Sequence, residues 1–138
     1  MPQYLVDTNV LSESGRQRPS PLVAQRMSQR EPDIATAAPV FAELLFGMYR
    51  LPPSRRRRDV ERYVISAVRG RLPILPYDEA AADWHAAERA RLERLGLTAP
   101  FVDGQIAAIA AVNGLTLVTL NVRDFQHFQS LQIEDWSV

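Results

Sequence analysis

Three acidic residues, Asp7, Glu43 and Asp103, stand where a merely solvated charge is out of place. Asp7 closes the apolar run Tyr4-Leu5-Val6, and in an open parallel α/β sheet ligands bind at the carboxyl ends of strands. A turn in which Asp7 or Asn9 caps the following helix is the plainer reading of Asp7-Thr8-Asn9 taken alone. Glu43 is flanked by Phe41, Ala42, Leu44, Leu45 and Phe46, and burial there would call for a cation or a proton; an exposed glutamate paired with Arg50 is the alternative. Asp103 precedes Ile106, Ala107 and Ala110 at helical spacing, so it extends an apolar stripe, although a carboxylate in a first helical turn also gains from the helix dipole. Brought together, three carboxylates repel unless a hard divalent cation such as Mg²⁺ or Mn²⁺ lies between them. Such an ion lowers the pKa of bound water and steadies phosphate oxygens, the chemistry of phosphodiester hydrolysis.

The elements that must position these residues follow from periodicity and punctuation. Tyr4–Val6 reads as a short buried strand, and Ser20-Pro21 opens a helix towards Arg30. Ile34-Ala35-Thr36 is a second strand; Pro39 opens a helix carrying Val40, Phe41, Leu44, Leu45 and Met48 at helical spacing, with Glu43 within it. Ser54 caps a third helix running to Gly70, and Leu72 to Pro76 is a proline-bounded strand expected near a sheet edge. Glu79 to Leu95 is the longest helix, with Ala82, His85, Ala86, Arg89 and Leu92 on one face and Gly96 as its stop. Pro100 starts the helix of Asp103, which ends at Asn113-Gly114; Thr116 to Thr119 is a strand, Arg123 to Phe128 a short helix, and Leu131 to Ile133 a last strand. Strands separated by helical segments predict an α/β fold with a mainly parallel sheet.

The 138 residues suit a single domain spanning 1-138, and 46% hydrophobic with 23% charged residues predicts a packed core. Without cysteine, a metal would have to be held by oxygen or histidine, and the cytosol is the default compartment. The N-terminus meets Asp7 too soon to hold a signal peptide's apolar region, and no apolar run approaches a membrane span, so no membrane partner is expected. The formal net charge of zero argues against a protein that coats nucleic acid through bulk charge, but leaves room for a local basic patch. All basic residues are arginine, a pattern that codon usage in a GC-rich genome explains as well as function does.

Four blocks in order carry a resemblance: Leu5-Val6-Asp7-Thr8-Asn9-Val10-Leu11-Ser12-Glu13; Ala42-Glu43-Leu44 with Gly47; Asp103 before Ile106-Ala107-Ala108; and Thr119-Leu120-Asn121-Val122-Arg123-Asp124-Phe125. With these blocks spread over nearly its whole length, the chain resembles the PIN-domain ribonucleases of VapC-type (FitB-like) toxins in type II toxin–antitoxin systems. The resemblance implies a three-layer α/β/α sandwich, endoribonuclease activity dependent on Mg²⁺ or Mn²⁺, a small cognate antitoxin of the VapB type, a cytoplasmic location and a homodimer. It assigns Asp7, Glu43 and Asp103 to the active site as the residues that hold the metal, Asp7 and Asp103 foremost as direct ligands, and gives Thr8, Asn9, Thr119 and Asn121 supporting roles. Asn121 stands where some members place an aspartate, and Asp124 is taken as the fourth acidic residue. Leu120 departs from the arginine often found between Thr119 and Asn121.

Other residues are read as structural. His85 and His127 lack metal-ligand spacing and are assigned to packing. Arg55 to Arg58 is a solvated helix start, Glu13 an arginine partner, and Trp84, Trp136, Tyr63 and Phe125 are core or dimer contacts and not base-stacking platforms. Phosphatases of the haloacid-dehalogenase type want a second aspartate where Asn9 stands, and glycine-rich nucleotide loops are absent. The competing function is a catalytically inactive PIN-like scaffold in a regulatory complex.

Overall fold

The computed structural model describes residues 1–138. Five parallel strands, β1 (Tyr4–Val6), β2 (Ile34–Ala37), β3 (Ile74–Leu75), β4 (Thr116–Val118) and β5 (Ile133–Glu134), form one sheet in the order β3-β2-β1-β4-β5. All four pairings are parallel, with Leu5 opposite Ala35 on one side and Leu117 on the other. The expected mainly parallel sheet is thus wholly parallel, and β3, the proline-bounded strand, lies at an edge as predicted.

Six α-helices connect the strands: α1 (Thr8–Ser14), α2 (Pro21–Arg30), α3 (Ala38–Tyr49), α4 (Arg55–Tyr63), α5 (Glu79–Arg94) and α6 (Phe101–Val112). The chain adds β2 and β3 on one side of β1 and then returns to place β4 and β5 on the other. With right-handed crossovers, this reversal puts α1 to α4 on one face of the sheet and α5 and α6 on the other, the three-layer α/β/α arrangement. It also makes the gap between β1 and β4 the switch point, where helix α1 leaves β1 in one layer, helix α6 enters β4 from the other, and a crevice opens at the strands' carboxyl ends.

Hydrophobic patterning explains the interior. Leu5, Val6, Ile34, Ala35, Leu117 and Val118 are fully buried, as suits strands covered on both faces. Helix α6 contributes Ile106, Ala107 and Ala110, all at 0% exposure, so the stripe below Asp103 faces the core as its spacing predicts. Phe125 and Trp136 are core residues, and the Tyr63 hydroxyl donates to the Leu11 carbonyl at 2.7 Å.

Several local expectations shift. Helix α1 has no counterpart in the sequence reading, which treated Asp7-Thr8-Asn9 as a turn ahead of the helix at Ser20. The run from Ser54 to Gly70 is α-helical only to Tyr63 and continues as a π-helical segment, Val64–Arg69. Arg123 to Phe128 is reduced to a single 3-10 turn, Val122–Asp124, and the last strand begins two residues later than expected, at Ile133. On α5 the buried positions are Ala81, His85, Glu88 and Leu92, whereas Ala86 and Arg89 are exposed. Glu88 enters this face because Arg91 neutralises it at 2.6 Å, which a pattern of apolar residues cannot reveal.

The interface of α5 and α6 turns on one glycine. His85, 4% exposed, shares a 2.9 Å hydrogen bond with the Tyr77 hydroxyl through Nδ1 and presses Nε2 against Gly104, where an added Cβ would lie 2.3 Å away. Gly47, within α3, has nothing within 4 Å of the equivalent position. Helix propensity favours alanine over glycine by about 0.5–1 kcal/mol, whereas overpacking a closed interior costs about 1–3 kcal/mol. Thermal or denaturant unfolding is therefore expected to show Gly47→Ala slightly stabilised and Gly104→Ala destabilised by about 1–2 kcal/mol; equal stability of the two variants would contradict this packing.

Candidate active site

Asp7 leaves β1 and at once becomes the N-cap of α1, its Oδ1 accepting from the Thr8 amide at 2.7 Å. Its second oxygen, Oδ2, accepts from the Thr119 hydroxyl at 3.0 Å. Thr119 directly follows β4, so this bond joins the carboxyl ends of the two strands that flank the switch point. Both side chains are buried, Asp7 at 7% and Thr119 at 0% exposure. The capping and functional readings of Asp7 are therefore compatible: one carboxylate is oriented by a helix amide and a buried hydroxyl.

Asn9 extends the same network. Its Nδ2 donates to Thr119 Oγ1 at 3.3 Å, and its Oδ1 accepts from the Leu120 amide at 3.1 Å. The Asn121 amide donates to Thr119 Oγ1 at 3.0 Å, so Thr119 meets three partners with one hydroxyl and fixes the turn carrying Asn121. Thr36, fully buried on β2, donates to the Val6 carbonyl at 2.9 Å and ties down the strand just before Asp7.

Of the two readings of Glu43, the exposed one describes its place on the helix, with a different partner. Its side of α3 is exposed, because Val40, Leu44 and Met48 take the buried face, so its apolar sequence neighbours do not enclose it. The ion pair with Arg50 does not form; instead the Thr8 hydroxyl donates to Glu43 Oε2 at 2.8 Å and holds the carboxylate beside Asp7. Asp103 sits in the first turn of α6, half-buried, and Asp124 lies in the exposed 3-10 turn after β4.

The four acids line one open cleft of about 570 Å³, together with Thr8, Asn9, Asn121 and residues of α1; Leu120 is its one hydrophobic wall. Their proximity is electrostatically visible. Burial pushes the Asp103 carboxyl up to about 6, reinforced by the charges of Asp7, Asp124 and Glu43. Burial also raises Asp7, against the lowering effect of its bonds from Thr8 and Thr119, with Glu43 and Asp124 adding to the rise. No three of the acidic groups lie close enough together to hold a metal ion by themselves. A hard ion such as Mg²⁺ needs only one or two carboxylates and keeps several waters, and the donors lining the cleft are all oxygen. The donor set therefore fits a hydrated divalent cation and excludes a thiolate or imidazole site.

All eight residues expected at the site come together here, Thr119 from beneath the cleft and the other seven in its lining. His85 is buried between α5 and α6, and His127 is exposed. Sequence reasoning missed Ser12 and Arg16 as cleft residues and gave Glu13 only its arginine. The signal was present in the spacing 8, 9, 12, 13 and 16, one face of a helix, but it is readable only once residues 8–14 are taken as helical.

Known proteins bear on this arrangement. A relative from Shigella flexneri described as a tRNA(fMet)-specific endonuclease VapC is 30% identical over 138 residues, covering 99% of this chain and 100% of the relative. Toxin FitB from Neisseria gonorrhoeae is 32% identical over 126 residues, covering 88% and 89% of the two chains. The crystal structure of DNA-bound VapBC from Salmonella typhimurium contains a chain that superposes with a TM-score of 0.87 at 28% identity, covering 99% of each chain. The PIN domain family model matches residues 4–130, nearly the whole sheet and every residue of the acidic cleft, and the chain belongs to that family.

Proposed function

We propose that this protein is a divalent-metal-dependent endoribonuclease, the toxin of a toxin–antitoxin pair. The carrying observation is the convergence of Asp7, Glu43, Asp103 and Asp124 in one cleft at the β1/β4 switch point, with Asp7 oriented from both sides. The names of the Shigella and Neisseria relatives support the nuclease and toxin readings, and the VapBC structure supports an antitoxin of the VapB kind as partner. In the proposed site Asp7 and Asp103 hold Mg²⁺ or Mn²⁺, Glu43 and Asp124 complete the acidic rim, and Thr8, Asn9, Thr119 and Asn121 maintain the geometry. When bound, the ion supplies an activated water and stabilises charge on the phosphate and leaving oxygens. The cleft's openness suits a polymer strand, and its hydrogen-bonded floor keeps the carboxylates from reorganising as charge develops. A homodimer and a cytoplasmic setting belong to the same proposal.

Asp7→Asn keeps the volume and the acceptor for Thr8 but removes both the charge and the acceptor for Thr119, so it is expected to lower RNA cleavage in Mg²⁺ by at least about 100-fold with an unchanged circular dichroism spectrum. Cleavage at the unaltered rate would sink the assignment.

The metal-free protein should also behave unusually with pH. Asp7 and Asp103 have folded pKa values raised above the unfolded 3.8, so between about pH 4 and 6 the native state binds more protons than the unfolded chain. Their contribution to stability is present below the unfolded value and lost as pH rises through the folded one. Asp103→Asn is accordingly expected to stabilise the metal-free protein at pH 7 by about 1 kcal/mol, roughly 3 °C in Tm, after allowance for solvent screening. A helix-capping aspartate would give the opposite sign. For the unaltered protein, Mn²⁺ at ten times its Kd should add about 1.4 kcal/mol, and this gain should vanish in Asp103→Asn.

A further inference from the structure

The cleft wall carries five carboxylates, Asp7, Glu13, Glu43, Asp103 and Asp124, and one basic side chain, Arg16. An RNA strand brings a negative phosphate at every nucleotide, and a single divalent ion offsets only part of that repulsion. Arg16 is thus the one cation that the protein itself contributes to the lining of the cleft.

Its position is built, not incidental. Arg16 follows Gly15, the C-cap of α1, whose missing side chain lets the Tyr63 ring approach to where a Cβ would meet it at 2.5 Å. Tyr63 in turn bonds to the Leu11 carbonyl, so the end of α1 is clamped to α4 as firmly as its start is fixed by Asp7. Arg16 Nη1 pairs with Glu13 Oε2 at 2.9 Å, while Glu13 Oε1 accepts from the Ser20 amide at 2.9 Å. The glutamate is anchored, with 18% of its side chain exposed, and the arginine is presented to solvent, at 69%. An exposed pair of this kind is weak, so the guanidinium can turn from Glu13 to a ligand at little expense, and its fork matches phosphate.

We propose that Arg16 binds a backbone phosphate of the RNA beside the bond to be cut, with Glu13 as the positioning residue that holds the guanidinium at the cleft mouth. This rests on the ribonuclease reading. The test is Mg²⁺-dependent cleavage of a mixed-sequence single-stranded RNA pool across a salt series by the unaltered protein, Arg16→Gln, Arg16→Lys and Glu13→Gln, with Tm recorded for each. Arg16→Gln is expected to raise the apparent KM about tenfold with kcat within about twofold. It should also make the plot of log(kcat/KM) against log[salt] shallower by about 0.7, the loss of one phosphate contact. Arg16→Lys should keep the slope, and Glu13→Gln should raise KM less than Arg16→Gln with the slope intact. Active protein whose Arg16→Gln variant shows the original KM and salt slope would overturn the inference alone, even if its Tm falls, since that pattern marks a structural staple. No cleavage by the unaltered protein with any divalent metal would overturn the ribonuclease reading and this inference together.

Discussion

The hydrogen bond from Thr119 to Asp7 is the contact on which the rest of the site depends. It spans the ends of β1 and β4, the two parallel strands between which the order of strand addition reverses. Because Thr119 is fully buried and also receives Asn9 and the Asn121 amide, it fixes the exit of β4, the start of α1 and one carboxylate oxygen with a single side chain. The order β3-β2-β1-β4-β5 puts helices of opposite layers on either side of this point, which is how α1, α3 and α6 bring Asp7, Glu43 and Asp103 to a common cleft although 96 positions of sequence separate the first from the last.

Such a gathering works against the stability of the fold. Asp103 is pushed up to about 6 by burial and its acidic neighbours, although its place in the first turn of α6 would by itself favour the ionised form. An arrangement that raises the energy of ionised carboxylates prepares them for a cation, and this is the physical reason to read the cluster as a site instead of a set of helix caps. Elsewhere the polar groups are matched with care: no buried side-chain nitrogen or oxygen lacks a hydrogen-bond partner. The electrostatic strain is concentrated in the cleft.

Much of this was legible in the sequence where one-dimensional periodicity coincides with burial. The stripe Ile106, Ala107 and Ala110 placed Asp103 correctly, and proline and glycine punctuation located α3, α5 and the edge strand β3. Failures have identifiable causes. Helix α1 is only seven residues, TNVLSES, and its two buried residues, Val10 and Leu11, are too few to display a period; with α1 unseen, Ser12 and Arg16 could not be assigned to the cleft. For Glu43 the sequence left burial and exposure both open, because local composition does not say which way a residue points: a helix with one buried face sends adjacent residues in different directions, and Phe46 itself is 66% exposed. The last strand, expected at Leu131 to Ile133, is present but with shifted bounds, Ile133–Glu134, because these are set by its pairing with β4, which local sequence does not encode.

In the function proposed above, the cleft gathers carboxylates to hold a divalent cation between Asp7 and Asp103. Anomalous diffraction from crystals of the protein grown with MnCl₂ tests it most directly. The predicted result is a Mn²⁺ peak in the cleft with oxygens of Asp7 and Asp103 at about 2.1 Å and water filling the remaining positions. A map without that peak at saturating Mn²⁺, or with the ion bound elsewhere on the molecule, would rule out a metal site between Asp7 and Asp103.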